Sequence, residues 1–208
     1  MKPALRLALF SFFVWAAIAT SASFACAQQI DVAAGGATMS APSGASAVGN
    51  HEPQSLDGGV YPTFAADYLF HKRIGVQGEI SWDWEKPIYL PNFVNEPYKP
   101  FFYDFNAIYA SPVSHHHIGF ELLGGVGVQN TRFYQPSCNS SACFGTTNHF
   151  MLVGGGGLKY YFWRSFFFRP EGRYYFTLHN VDFSSNHSIR YGATFGYTFR
   201  GSSHSSAQ

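Results

Sequence analysis

The chain has 208 residues, of which 12% are charged and 19% are aromatic, and its 13 Lys and Arg against 12 Asp and Glu leave it close to neutral. This balance argues against a nucleic-acid-binding protein, which needs a basic stripe on its surface. After the N-terminal segment no run of about eighteen apolar residues occurs, so transmembrane helices are not expected. Many aromatic residues without long apolar runs are typical of a membrane β-barrel.

The N-terminus has the pattern of a secretory signal peptide. A positively charged start precedes the apolar run Leu7–Ala19, and a small-residue motif ends at Ala27. We predict cleavage between Ala27 and Gln28; lipidation of Cys26 is the alternative. The predicted parts are a signal peptide over residues 1–27, a barrel domain over 28–200 and a short polar tail over 201–208.

Apolar and polar residues alternate in eight segments of the mature chain. In the third, Ile74, Val76 and Ile80 share one face, whereas Gln77 and Glu79 share the other. Such period-2 alternation predicts a strand with two chemically opposite faces. Each segment is long enough for a tilted membrane crossing of about 9–11 residues. The segments are Gln29–Ala37, Gly58–Phe70, Arg73–Trp84, Phe101–Ala110, Ile118–Gln129, Phe150–Phe162, Phe168–His179 and Ile189–Phe199.

The links between these segments alternate in length. Those after segments two, four and six are short ("HKR", "SPVSHHH" and "WRS"), and those after one, three, five and seven are longer. Bacterial outer-membrane barrels have short periplasmic turns and longer external loops. The sequence therefore predicts an all-β fold, an eight-stranded antiparallel up-and-down transmembrane β-barrel. Its apolar exterior faces lipid, its interior is filled by polar side chains, and both termini are periplasmic.

The polar faces of these strands place eight charged residues inside the predicted barrel. An eight-stranded barrel is just wide enough for side chains to fill it. Buried charges must be paired, because isolated ones cost several kcal/mol. We interpret the set as a structural salt-bridge network, with acid–base catalysis or a narrow pore as alternatives, and inward glycines on strands five, six and eight make room for it. The residues are Asp67, Glu79, Glu121, Lys159, Arg169, Glu171, Arg173 and Arg190.

Aromatic residues cluster where strands are predicted to end. Trp82 and Trp84 fall at the outer end of the third strand, and Tyr160, Phe162 and Trp163 fall beside a short periplasmic link. Amphipathic rings prefer the two membrane–water interfaces. We therefore predict that these five residues belong to two interfacial girdles.

Two further motifs invite interpretation. Cys138 and Cys143 are the cysteines that follow the predicted cleavage site, and an even pair in an exported protein favours a small loop disulfide. The run His115–His117 suggests a metal site, but consecutive residues of a strand point to opposite faces. No metal and no cofactor are expected.

Three stretches, "GGGGLKYYF", "FRPEGRYYF" and "RYGATFGYTF", resemble the small outer-membrane β-barrel family of eight-stranded OmpA/OmpX-like proteins. In the last stretch, Tyr191, Phe195, Tyr197 and Phe199 resemble the terminal strand that the barrel-assembly machinery reads. The chain departs from the family in the polar tail that follows Phe199. The resemblance implies a monomer in the outer membrane of a Gram-negative bacterium. Its partners would be membrane lipid, lipopolysaccharide and the assembly machinery, without nucleic acid.

The expected function is non-enzymatic, either envelope-structural or surface interaction through external loops with a ligand that the sequence does not identify. One alternative is a lipid A-modifying enzyme. The deacylase family uses a His and a Ser two residues apart on the lipid-facing side of a strand. His179 instead has Val181 at that spacing, and strand parity places His179 with the lumen residues. His187 and Ser188 are directly adjacent, so they do not have the required spacing either. A second alternative is a soluble periplasmic barrel with its faces reversed around an apolar ligand.

Overall fold

The computed structural model describes residues 29–41, 55–70, 73–89, 96–114, 117–134 and 144–200. Several predicted features lie outside these residues: the signal peptide with its cleavage site at Ala27 and Gln28, the tail over 201–208, the cysteine pair Cys138 and Cys143, and the histidines His115 and His116. Within the described ranges, no helix is long and apolar enough to cross a membrane.

The described residues form an antiparallel barrel. Its eight strands have the order β3-β2-β1-β9-β8-β7-β6-β5, and pairing of β3 with β5 closes the cylinder. Among the described residues, the two-residue strand β4 pairs only with the start of β5. The eight-stranded antiparallel fold predicted from the sequence is therefore confirmed. The strands are β1 Gln29–Ser40, β2 Gly58–Leu69, β3 Ile74–Trp82, β4 Ile88–Tyr89, β5 Glu96–Ser114, β6 Ile118–Tyr134, β7 Phe144–Trp163, β8 Phe166–Thr177 and β9 His187–Arg200.

Strand parity sorts the side chains as the alternation predicts. On β3, Gln77, Glu79 and Ser81 are buried inside the barrel, whereas Ile74 is 48% exposed on the outside. Apolar residues elsewhere on the exterior are equally open, for example Phe105 on β5 at 60% exposure. The polar interior and apolar exterior are the arrangement of a transmembrane barrel.

The two ends of the barrel differ. Gln29 pairs with Leu69 and with Arg200, so the start of β1 and the end of β9 lie at one end. The short links lie at this same end; the one between β7 and β8 consists of Arg164 and Ser165 alone. The longer links gather at the opposite end, which we call the loop end.

Strands β6 and β7 extend further at the loop end than the sequence pattern predicts. The predicted segments stop at Gln129 on β6 and start at Phe150 on β7, but the ladder between these strands continues to the pair Tyr134 and Phe144. Strand β8 leaves β7 at Met151, whereas β5 stays paired with β6 up to Tyr98 and Phe133. Residues 130–134 and 144–150 thus form a projecting hairpin that extends beyond the end of β8. The hairpin escaped prediction because its polar residues do not alternate with apolar ones.

The ends of β3 and β8 were predicted two residues too far along the chain. Strand β3 ends at Trp82, so Trp84 lies just beyond it. Strand β8 ends at Thr177, and His179 occupies a turn with a φ of 51° and is exposed. The predicted placement of His179 with the lumen residues is wrong, because strand parity no longer applies past Thr177.

Candidate functional site

The interior of the barrel holds the largest cluster of chemically active groups. Its lower part, near the short links, is centred on Lys159. The Nζ atom of Lys159 lies 2.8 Å from Asp31, 3.0 Å from Asp67 and 2.6 Å from Glu121. Arg169 shares two of these acids, at 2.9 Å from Asp67 and 3.2 Å from Glu121. One ammonium and one guanidinium thus tie strands together across the lumen.

The upper part of the network is built on two further arginines. Arg173 pairs with Glu79, with Asp104 at 3.0 Å and with Glu171 at 3.3 Å. Arg190 pairs with Glu79 and, at 3.1 Å, with Glu171. Since Arg169 also contacts Glu171 at 3.1 Å, this carboxylate joins the upper and lower parts into one network.

All eight charged residues that the sequence placed in the lumen lie there and are paired with one another. The structure adds two acids, Asp31 and Asp104, so that six carboxylates face four cations. Neutral donors supplement the cations, since Gln77 Nε2 donates to Asp67 at 2.7 Å. Asp31 lies between Ile30 and Val32 in β1, so the alternation used for the other strands identifies it.

Glycines on β7 give the long side chains of the network their space. A Cβ atom on Gly155 would lie 2.5 Å from the Gly172 carbonyl oxygen and 3.2 Å from Cγ of Arg173. One on Gly157 would lie 3.1 Å from Cβ of Glu171. The inward glycines are therefore spacers for the ion pairs.

Aromatic side chains close the lumen above the network. Phe102 stacks on Tyr175 with ring centroids 5.6 Å apart, and Tyr61 meets Phe102 edge-on at 6.0 Å. Met39 and Met151 complete this fully buried layer. Sequence reasoning treated the interior as polar and missed this layer, although parity places Phe102 with Asp104. Ion pairs below and packed rings above fill the interior at these levels.

The lumen opens at the end that carries the short links. A cavity of about 220 Å³ there is bordered by Gln29, Tyr161 and Arg200, with Lys159 at its inner side. The lysine is already paired with three carboxylates, so the charge that the cavity presents to solvent is largely neutralised.

The residues considered for lipid A chemistry do not form a catalytic pair. His187 is exposed on the outer face of β9 and hydrogen-bonds through Nδ1 to the Tyr174 hydroxyl. Ser188 is buried and points inward. The two neighbours thus lie on opposite sides of the barrel wall, as strand geometry requires.

A different histidine is engaged at the loop end. His149 Nε2 lies 2.9 Å from Asp182, whose carboxylate also accepts a hydrogen bond from Thr147. These contacts fasten the β8–β9 link to the projecting hairpin. His117 is exposed in the short link before β6, and within the described residues no group of three His, Cys, Asp or Glu residues could hold a metal ion.

The predicted girdle residues occupy both ends of the outer surface. Trp82 and Trp84 lie at the loop end, and Trp84 is 68% exposed. At the other end Tyr160, Phe162 and Trp163 are also exposed. On β9, which pairs with β1, the predicted assembly-signal residues Tyr191, Phe195, Tyr197 and Phe199 all face outward.

Comparisons with known proteins match the chain by structure alone. No protein-family model matches it, and no curated protein matches it by sequence. The β-barrel domain of Pseudomonas aeruginosa OprF aligns with a TM-score of 0.55 at 15% identity, covering 82% of this chain and 97% of the domain. Neisserial surface protein A aligns with a TM-score of 0.57 at 14% identity, covering 83% and 99%. A major outer membrane protein from Thermus thermophilus aligns with a TM-score of 0.55 at 10% identity, covering 83% and 99%. The chain therefore has the fold of outer-membrane β-barrels.

Proposed function

We propose that the protein is a non-enzymatic barrel of the bacterial outer membrane, which supports the envelope or binds a partner through its long loops. One observation carries this proposal: the interior is filled by paired charges, while the outside is apolar around the whole circumference. Phe64 on β2, Phe105 on β5 and Phe195 on β9 are each more than half exposed. Apolar surface of this extent is unfavourable in water and requires a lipid environment.

The filled interior argues against the two alternatives that need space. A soluble barrel for an apolar ligand needs an apolar cavity, but Arg169, Arg173 and Arg190 occupy the centre of this one and are almost completely buried. A pore needs a water-filled path, whereas these side chains and the ring layer occupy the cross-section. The surface for a specific partner is therefore at the loop end.

Refolding into detergent tests the membrane assignment. The mature chain, residues 28–208, is refolded into zwitterionic micelles and run on a denaturing gel with and without boiling. We expect the unboiled sample to run faster as a compact, detergent-resistant barrel. A chain that folds and stays soluble without detergent would overturn the proposal.

We further propose that both termini are periplasmic, because the short links lie at their end of the barrel and outer-membrane barrels have short periplasmic turns. Single cysteines replace Thr146 at the loop end or Ser165 at the opposite end, in a background with Cys138→Ser and Cys143→Ser. A membrane-impermeant maleimide should label only Thr146→Cys in intact cells. Labelling of Ser165→Cys alone would reverse the orientation.

Mass spectrometry of lipid A tests the absence of enzymatic activity. Cells that express the protein are compared with cells that carry an empty vector, and we expect identical lipid A. A modified lipid A that reverts in the Ser188→Ala variant would establish the enzyme instead.

A further inference from the structure

The cations of the loop end are gathered on one side of the outer surface. The rim cation cluster consists of Lys86, Lys99 and Arg132. Lys99 and Arg132 are paired neighbours on β5 and β6, and Lys86 reaches this surface from the link after β3. The other seven described Lys and Arg residues lie in the lumen or at the opposite end: Arg73, Lys159, Arg164, Arg169, Arg173, Arg190 and Arg200.

Aromatic rings hold these cations against the wall. The Nζ atom of Lys86 lies 4.1 Å from the Tyr134 ring centroid. The guanidinium carbon of Arg132 lies 4.5 Å from the Phe101 ring and 5.4 Å from the Phe144 ring, and Lys99 lies 5.7 Å from Phe101. Cation–π contacts orient a cation without neutralising its charge. The cluster therefore presents fixed positive charge to its surroundings.

The charge of the cluster is not neutralised within the described residues. None of its three cations has a carboxylate oxygen within ion-pair distance there, although Lys99 attracts the buried Asp83 at longer range. In addition, the Nε–H group of Arg132 is buried and has no hydrogen-bond partner among the described residues. A buried donor that stays unsatisfied is unfavourable, so an anionic acceptor at this place would be favoured.

The height of the cluster on the wall identifies the anion. Residues facing outward on β6 are apolar up to Val128, after which come Asn130 and Arg132. On β7 the change comes at Asn148, which accepts a hydrogen bond from Asn130 at 2.7 Å. Neighbouring strands thus pass from apolar to polar side chains at the same register, which marks the upper boundary of the lipid-facing belt. The cations lie immediately above it and face sideways.

We propose that the rim cation cluster binds the phosphate groups of a phosphorylated glycolipid of the outer leaflet, of the lipid A type. This rests on the proposed function, because the cluster meets headgroups only in a membrane-embedded barrel. Arg132 and Lys99 contact the phosphate, Lys86 adds charge at the upper edge, and the amides of Asn130 and Asn148 meet the sugar. The site fixes lipid on the β5–β7 side of the barrel, at the base of the projecting hairpin.

Lipid titration tests the site. The refolded mature chain is titrated in zwitterionic micelles with diphosphoryl lipid A or with its dephosphorylated form, and bound lipid is counted by native mass spectrometry. A basic residue near an anionic surface contributes about 1 kcal/mol, which is about a fivefold change in affinity. We expect each of Lys99→Gln and Arg132→Gln to weaken diphosphoryl binding about fivefold and the double variant about 25-fold. Arg73→Gln, the same charge loss at the opposite end, should bind as wild type does.

Three outcomes would overturn the site: equal affinity for both lipid forms, equal losses in Arg73→Gln and Arg132→Gln, or displacement of the lipid by inorganic phosphate, which would make free phosphate the ligand. The boiled and unboiled gel precedes every titration. A wild type without a gel shift refutes the proposed membrane barrel, whereas a normal shift with unselective binding refutes only the site. If the double variant does not fold, the affinity of Lys99→Gln for diphosphoryl lipid A tests the site. This substitution disturbs the fold less, because Lys99 contacts only one aromatic ring within the described residues.

Discussion

Replacing Arg173 with Met tests whether the lumen network stabilises the barrel. Arg173 supplies the only cation that Asp104 contacts within the described residues, and it is one of two that Glu79 contacts. Met keeps much of the side-chain volume but leaves these carboxylates partly unpaired in a buried site. Removing one partner of a buried ion pair costs about 3–5 kcal/mol. We expect a loss in this range in the free energy of unfolding.

A second substitution shows where the cost arises. Asp104→Asn removes one of the six carboxylates and leaves Arg173 paired with Glu79 and Glu171, so we expect it alone to cost about 1 kcal/mol. The double variant no longer carries the stranded Asp104 charge. It should therefore be more stable than the sum of the single losses predicts, by about 1–2 kcal/mol.

Urea unfolding of the barrel in phosphatidylcholine vesicles, followed by tryptophan fluorescence and by the gel shift, measures these free energies. Arg73→Met serves as the control, because Arg73 is exposed and should cost less than about 0.5 kcal/mol. A loss below about 1 kcal/mol in Arg173→Met, or strict additivity in the double variant, would refute the reasoning.

Three other predictions test the two faces and the loop end. Gly155→Val should destabilise the barrel by about 1–3 kcal/mol because its side chain meets the neighbouring backbone, whereas Gly154→Val, which faces outward with nothing within 4 Å, should be nearly neutral in the same urea assay. Phe105→Arg should cost about 2–4 kcal/mol in vesicles and Thr146→Arg at the hairpin less than about 1 kcal/mol; equal costs would refute the lipid-facing assignment. Burial raises the pKa of the Asp83 carboxyl, so this group favours the folded state below its unfolded pKa and loses that contribution as the pH rises through the folded value. In the Asp83→Asn variant, the free energy of unfolding should therefore decline less from acid to neutral pH than it does in the wild type. Identical pH profiles of the two proteins would contradict the raised pKa of Asp83.

The faces of the strands were predictable because side-chain period alone decides them. Parity placed Arg169, Arg173 and Arg190 in the lumen without knowledge of any partner. The partners themselves were not predictable: Lys159 meets Asp31, 128 residues away, because of the stagger between strands that closes the barrel. Stagger is a property of the closed sheet and leaves no trace in a single strand.

The rim cation cluster escaped prediction for a related reason. Lys99 and Arg132 lie 33 positions apart in the sequence and become neighbours only through the β5–β6 register. The extent of the ladder was also hidden, since apolar and polar residues do not alternate in the sequence of the projecting hairpin. The interior aromatic layer escaped prediction for a different reason. Strand parity places Phe102 inside the barrel, but the sequence analysis assigned apolar residues to the lipid-facing surface.

The outer end of the projecting hairpin lies far from the ion pairs that stabilise the barrel. Seven residues of β7 lie between the last pair with β8 and the outer end of the strand. At about 3.4 Å per residue, Phe144, where the link over residues 135–143 meets β7, lies about 24 Å along the strand from that last pair. Changes in the length or sequence of that link therefore have no direct route to the ion pairs of the lumen. Natural selection by hosts, phages or competing cells can diversify this segment at little cost to folding or membrane insertion.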